Sequence, residues 1–274
     1  MADTSEVAEA LSVAREAARE AVEVLRAAWP GTGRREASRK NPRDLVTEAD
    51  RESERRILAR LKRAFPDHGI VAEESGDRLG AGALRWIVDP LDGTTNYVHG
   101  FPMFAVSIAL YEGDRPLAGL VVDPVRGEWF TASAGDGAWL DYGDPGSATR
   151  LAVADGGDPA EGPLLATGFP FRQPSLTARY LAAFGELFTR SSDMRRAGSA
   201  ALDLAYVAAG RVDGFWEMGL NPWDIAAGEL LVLEAGGIVS DWRGDSAHRE
   251  TGWIAAGGPE THRLLISILS EHAA

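Results

Sequence analysis

The sequence predicts an α+β layer followed by an α/β layer, a mixed fold whose two halves pack as one unit. Three patterns carry that expectation. Apolar residues recur at helical spacing near the N-terminus, they alternate with period two between residues 104 and 140, and short apolar runs alternate with helical stretches after residue 150. At 274 residues the chain is about as long as one hydrophobic core allows, which favours two intimately packed halves over two beads on a linker.

Val7, Leu11, Ala14, Ala18, Val22, Leu25 and Trp29 fall three and four apart, which predicts a first helix over 5–29 ended by Pro30-Gly31. After a polar loop, Thr47-Glu48-Ala49-Asp50 reads as a capping-box start to a second helix over 48–64, with Ile57, Leu61 and Phe65 on its inner face. Gly69 to Ala72 is a short strand running into Glu73-Glu74-Ser75. A loop over 76–83 leads to the buried strand Trp86-Ile87-Val88, which closes in a turn at Asp89-Pro90-Leu91-Asp92. The period-two stretch is an antiparallel meander turning at Glu112-Gly113-Asp114 and Gly135-Asp136-Gly137.

Turn formers over 141–150 place a boundary there, giving an N-terminal half, 1–145, and a C-terminal half, 146–274. In the second half strands are expected at 164–167, 212–217, 238–240 and 253–256. Helices are expected near 176–189, 199–209, 224–235 and from 259 onward.

Composition excludes several classes. No stretch near 18 apolar residues exists to span a membrane, and the acidic, amphipathic N-terminus is not a secretory signal. The chain has no cysteine, so disulfides and thiolate metal sites or nucleophiles are excluded, which fits a cytoplasmic protein. With 28 basic against 41 acidic residues the net charge is −13, a field that disfavours nucleic acid as the main ligand. A small anionic substrate remains admissible where divalent cations sit between it and the acidic residues.

Carboxylates stand at the edges of core elements in four places: Asp50, Glu73 with Glu74, Asp89 with Asp92, and Asp224. Singly, each has an ordinary explanation. Asp50 completes a capping box, Glu73 and Glu74 end a strand in solvent, Asp92-Gly93 is a turn dipeptide, and Asp224 opens a helix. Together they make an oxygen-rich set that suits Mg²⁺, with the Leu91 carbonyl between Asp89 and Asp92. Massed carboxylates without a cation would repel and raise one another's pKa. The five histidines are scattered, and no Cys/His cluster suits zinc. Gly93-Thr94-Thr95 would present backbone N–H groups to a phosphate, and a threonine hydroxyl beside a carboxylate can orient a water for in-line attack. No Gly-x-x-x-x-Gly-Lys-Ser/Thr loop occurs, so an ATPase built on that loop is not expected.

Asn41-Pro42-Arg43-Asp44-Leu45-Val46-Thr47-Glu48-Ala49-Asp50, Ala72-Glu73-Glu74-Ser75, the run from Trp86 to Thr95, and Asn221-Pro222-Trp223-Asp224-Ile225-Ala226-Ala227-Gly228 occur in that order. On these motifs the chain resembles the inositol monophosphatase family, within the lithium-sensitive, magnesium-dependent sugar phosphatases, over nearly its whole length. Residues 195–219 look closest to the bacterial inositol-1-monophosphatase branch. The resemblance implies a layered α-β-α-β-α sandwich, a homodimer and two or three Mg²⁺ ions. Glu73, Asp89 and the Leu91 carbonyl would hold the first ion, and Asp89, Asp92 and Asp224 the second. Glu74 with Glu73 would support a weaker third. Asp50 and Thr94 would activate the nucleophilic water, and Gly93, Thr94 and Thr95 would cradle the phosphate. Gly198, Ser199 and Ala200 would line the substrate ring beside Asp224, and Glu217 would hydrogen-bond a ring hydroxyl.

The implied reaction is hydrolysis of myo-inositol 1-phosphate and related polyol phosphates. Fructose-1,6-bisphosphatase, histidinol-phosphatase and 3′(2′),5′-bisphosphate nucleotidase are alternatives on the same fold. Arg172, Arg195 and Arg196 are the candidates for a second-phosphate pocket. An additional regulatory binding role is the alternative from outside catalysis.

Overall fold

The computed structural model describes residues 3–29, 31, 36–41, 44–78, 80, 82–154 and 162–273. Pro30, expected to end the first helix, and Pro42 and Arg43 of the first motif lie outside them. The N-terminal elements are α1 (Thr4–Ala28), β1 (Ser38–Asn41), β2 (Asp44–Val46), α2 (Glu48–Ala64), β3 (Gly69–Ala72), β4 (Gly76–Arg78), β5 (Leu84–Asp92) and α3 (Thr94–His99). The meander follows as β6 (Ala105–Glu112), β7 (Arg115–Asp123), β8 (Glu128–Ser133), β9 (Gly137–Asp141) and β10 (Thr149–Arg150). Next come β11 (Leu164–Thr167), α4 (Thr177–Phe188), β12 (Asp193–Arg195), α5 (Ala200–Ala208) and β13 (Gly214–Met218). The chain closes through α6 (Pro222–Glu234), β14 (Ile238–Ser240), α7 (His248–Thr251), β15 (Trp253–Gly257) and α8 (Pro259–Leu269).

Five layers result. One face of an eight-stranded sheet, ordered β10-β9-β8-β7-β6-β5-β3-β4, is covered by α1 and α2, whose apolar stripes meet Trp86, Val88 and Leu110. Its other face packs on α5 and α6 through Tyr111, Val121, Phe130 and Leu204. These two helices in turn support a five-stranded sheet, β12-β11-β13-β15-β14. The outer face of that sheet is closed by α4 and α8 around Tyr180, Trp216, Trp242 and Leu265. This is the α-β-α-β-α sandwich. Because α6 lies between two sheets, residues all round it from Asp224 to Val232 are buried, the carboxylates of Asp224 and Glu229 among an otherwise apolar surface. The first sheet extends to Arg150, where β10 pairs with β9, so residues just past 145 still belong to it. No described helix is long and apolar enough to cross a membrane.

At Asp89-Pro90-Leu91-Asp92 the structure departs from the simple turn expected there. β5 continues through Asp92, pairing Asp89 with Ser107 and Asp92 with Ala105, so one extra residue is held between those pairs. Pro90 has no N–H to give the ladder, and the Leu91 N–H donates instead to Asp89 Oδ1 (2.9 Å). A bulge of this kind re-aims side chains at a sheet's functional end. Gly93 then turns the chain with φ 90°, where a Cβ would sit 3.0 Å from the Met103 carbonyl, and α3 begins at Thr94.

Candidate active site

The bulge, the start of α3, the start of α6 and the end of β13 open onto one cavity of about 390 Å³. Glu73, Asp89, Leu91, Asp92, Gly93, Thr94 and Thr95 line it from the first sheet, and Gly198, Ala200, Glu217 and Asp224 from the second half. One carboxylate oxygen each of Asp89, Asp92 and Asp224 lies within 4.8 Å of the others, and all three residues are buried.

Their electrostatics follow from that crowding. Burial, then the charges of Glu73, Asp92 and Asp224, pushes Asp89 well above the usual carboxylate range. Asp92 is pushed up to about 7 by burial and the Asp224 charge, against hydrogen bonds from the Ser199 hydroxyl (2.6 Å) and the Ala201 N–H (2.8 Å). Asp224 is raised to about 6 by burial, opposed by the Arg172 charge and by the Asn221 N–H (2.7 Å). Three buried carboxylates sharing so little space are stable as anions only beside a cation. An all-oxygen set of this kind fits a hard divalent ion such as Mg²⁺.

Asp50 starts α2, is fully buried, and reaches the cavity only through Thr94. Its Oδ2 accepts the Thr47 N–H (2.8 Å) and the Thr47 hydroxyl in a capping box, while its Oδ1 accepts from Thr94 Oγ1 (3.0 Å). Thr94 Oγ1 also lies 3.1 Å from the Leu91 carbonyl, so its single proton is shared between two acceptors. Burial, more than these hydrogen bonds offset, raises the Asp50 carboxyl above its ordinary range.

Two residues fall elsewhere than the motif suggested. Ser199, expected against the substrate ring, is fully buried and spends its hydroxyl on Asp92. Glu74 does not line the cavity. Its N–H is held by Glu54 Oε2 (2.8 Å), and the residue faces a separate groove along α2 with Arg51, Arg55 and Lys62. Successive residues of a tight turn point apart, so Glu73 and Glu74 serve different surfaces.

Other residues become visible only in three dimensions. The Asn96 amide faces the carbonyls of Met103 (2.7 Å), Ala197 (2.9 Å) and Gly198 (3.2 Å), tying α3 to the approach to α5. Its place directly after Gly93-Thr94-Thr95 was the available signal. Glu54, one turn after Asp50 on the inner face of α2, carried a similar one. Of the three arginines named for a second-phosphate pocket, Arg172 and Arg196 line the cavity, whereas Arg195 does not and pairs with Asp193 (2.6 Å); Phe169 and Phe171 also line it, and nothing local in the sequence marks these two rings.

The family model for the inositol monophosphatase family matches residues 6–274. The chain belongs to the inositol monophosphatase family. A Pseudomonas aeruginosa relative, Nus factor SuhB, is 46% identical over 267 residues, which cover 96% of each chain. Among solved structures, the extragenic suppressor protein suhB of Bartonella henselae superposes with a TM-score of 0.86 at 40% identity, covering 95% of this chain and 98% of that one. The inositol monophosphatase of Anabaena (Nostoc) gives 0.82 at 38% identity, covering 95% of both chains. Family membership thus agrees with the layered fold and with the buried acidic cluster. The name Nus factor is that of a factor rather than of a phosphatase, so it lends no support to the charge-based exclusion of nucleic acid.

Proposed function

We propose that this chain is a Mg²⁺-dependent phosphomonoesterase that hydrolyses myo-inositol 1-phosphate and related polyol phosphates. The observation that carries the reading is the convergence of Asp89, Asp92 and Asp224 at a cavity whose wall also bears Glu217. Those three carboxylates, with Glu73 and the Leu91 carbonyl, are the groups that would hold the cations. When bound, Mg²⁺ supplies charge neutralisation for the phosphate and its departing oxygen and makes a water more acidic.

The remaining work falls to the chain's own residues. Thr47 fixes Asp50, and Asp50 accepts from Thr94, leaving the Thr94 oxygen with a lone pair for the hydrogen of an attacking water. A carboxyl raised by burial, as Asp50 is, holds a proton more readily than an exposed one, which suits a base acting through Thr94. Gly93, Thr94 and Thr95 present the backbone at the start of α3 to the phosphate oxygens. Glu217 accepts from a hydroxyl of the leaving alcohol. Gly198 and Ala200 form the apolar side of the seat, and Asp224 closes it beside the phosphate.

Phosphate release from a panel of inositol, sugar, histidinol and nucleotide phosphates, compared by kcat/KM with Mg²⁺ and with EDTA, tests this reading. Highest kcat/KM on myo-inositol 1-phosphate and loss of turnover in EDTA are expected. Full turnover in EDTA would overturn it. The reading carries with it a cytoplasmic homodimer. A second role, as a binding factor, is favoured by the name of the Nus factor SuhB relatives. An Asp89→Asn protein that lacks turnover but keeps a biological effect would support that role.

A further inference from the structure

The buried face of α2 is polar beside the acidic centre and apolar beyond it. Asp50, Ser53 and Glu54 occupy that face, each 4% exposed or less, and Ile57, Leu58 and Leu61 continue it. Spacings of three and four residues put all six on one stripe. Apolar side chains at 53 and 54 would pack there without the desolvation that a hydroxyl and a carboxylate incur. Each polar group is instead bonded to a different segment of the site.

Ser53 Oγ donates to the Pro90 carbonyl (2.9 Å), and the N–H of that same peptide, from Leu91, donates to Asp89 Oδ1 (2.9 Å). The Pro90–Leu91 peptide is thus held at both poles, and with it the Asp89 carboxylate. Glu54 Oε2 accepts the Glu74 N–H (2.8 Å), while the Glu73 N–H donates to the Val88 carbonyl of β5 (3.2 Å). Glu73, which lines the cavity, is therefore fixed through the peptide on each side of it. Asp50 accepts from Thr94 Oγ1, which also lies 3.1 Å from the Leu91 carbonyl. So Glu73, Asp89 and the Leu91 carbonyl, the three groups expected to hold one ion, are all braced from α2. The other carboxylates are braced from elsewhere. Asp92 accepts from Ser199 and from the Ala201 N–H at the start of α5, and Asp224 accepts from the Asn221 N–H at the start of α6.

Resting on the Mg²⁺-dependent phosphatase reading, we propose that Ser53 and Glu54 are positioning residues for one cation only, the ion held by Glu73, Asp89 and the Leu91 carbonyl. Through them α2 holds the turn after β3 against the bulge of β5. The starts of α5 and α6 do the same for the ion of Asp92 and Asp224. Asp89 serves both ions, so Glu54, which touches only the Glu73 side, is the sharper probe. Its carboxylate touches neither substrate nor cation and acts through the Glu73–Glu74 backbone.

Isothermal titration calorimetry with Mg²⁺ on metal-free wild type, Ser53→Ala, Glu54→Ala, Glu54→Gln and Ser199→Ala tests this directly, beside phosphate release. Glu54→Ala is expected to weaken one binding step roughly tenfold or more and to leave the other within about twofold. Ser199→Ala should weaken the other step. Glu54→Gln keeps an acceptor oxygen for the Glu74 N–H and should restore the first step to within about threefold of wild type. In turnover, Glu54→Ala should raise the Mg²⁺ concentration for half-maximal rate while KM at saturating Mg²⁺ stays the same. A purely structural role would lower the melting temperature and leave the isotherm alone. An unchanged isotherm in Glu54→Ala overturns the proposal, as does equal weakening of both steps, or a Glu54→Gln protein as weak as Glu54→Ala. Where Glu54→Ala does not fold, Ser53→Ala carries the test, since it removes a single oxygen. It should weaken the Glu73 step by roughly twofold to tenfold, and a wild-type isotherm there overturns the proposal. Wild-type protein that takes up no Mg²⁺ brings down the phosphatase reading together with this one. A wild type that binds Mg²⁺ and ignores Glu54→Ala overturns this one alone.

Discussion

Asp92 receives two hydrogen bonds, from the Ser199 hydroxyl and the Ala201 N–H, which fix the carboxylate that burial and Asp224 would otherwise protonate. Groups that hold a cation ligand in place typically cost 10–100-fold in metal affinity or activity when lost. Ser199→Ala is therefore expected to raise the Mg²⁺ concentration for half-maximal activity by roughly tenfold or more, read from a Mg²⁺ titration of phosphate release. Asp92→Asn removes the charge itself and should abolish Mg²⁺-dependent turnover while leaving the far-UV circular dichroism unchanged. A Ser199→Ala protein with an unaltered Mg²⁺ titration would return Ser199 to the substrate wall, where the motif alone had placed it.

One helix start and one helix crossing help to decide where the site groups point. The capping box of α2 makes Thr47 serve both fold and chemistry, since its N–H and hydroxyl hold Asp50 against Thr94. Thr47→Ala should lower stability by about 1 kcal/mol, the usual cost of losing such a cap. It should also lower kcat more than it raises KM, measured by denaturant titration and steady-state kinetics. At the crossing of α5 and α6, a Cβ on Gly228 would lie 2.5 Å from the Leu204 Cβ. Gly228→Ala improves helix propensity by roughly 1 kcal/mol, yet overpacking of this kind typically costs 1–3 kcal/mol. A net loss of melting temperature is expected, and a gain would show that the two helices can part. Helix extents and the Thr47 box were legible in the sequence because caps and periodicity are local signals. The Asp89 bulge was not, since a bulge is defined by the register of a partner strand, here β6.

At the scale of the whole molecule, the acidic centre ties stability to pH and to metal. Without cation, burial and mutual repulsion raise Asp89, and take Asp92 from 3.8 to about 7 and Asp224 to about 6. A raised folded-state pKa means the folded protein binds more protons than the unfolded chain between about pH 4 and pH 7. The stability these groups contribute is thus complete at low pH and is lost as pH rises through that window. A cation competes with those protons for the same oxygens. In EDTA the melting temperature is expected to be higher at pH 5 than at pH 8, and Mg²⁺ should raise it more at pH 8 than at pH 5. Calorimetric scans at the two pH values, with and without Mg²⁺, check both signs. Equal Mg²⁺ shifts at both would separate the cluster from the metal.

The sequence by itself determined the layered class, the helix and strand order, and the groups that sit close together along the chain. Asp89, Leu91, Asp92 and Thr94 span six residues, so their chemistry is fixed by local backbone geometry and shows in the motif. Only the tertiary structure decided which distant side chains join them. Asp224 arrives on α6 and Glu217 on β13, while Arg196 reaches the cavity wall with its guanidinium over Phe169 and Phe171. The same separation explains Ser199 and Glu74, whose residue types suited a site: the Ser199 hydroxyl is taken by Asp92, and the Glu74 backbone N–H is held by Glu54. A side chain's direction is settled by packing and by the partners that satisfy its polar atoms, and those partners lie 20 to 107 positions away.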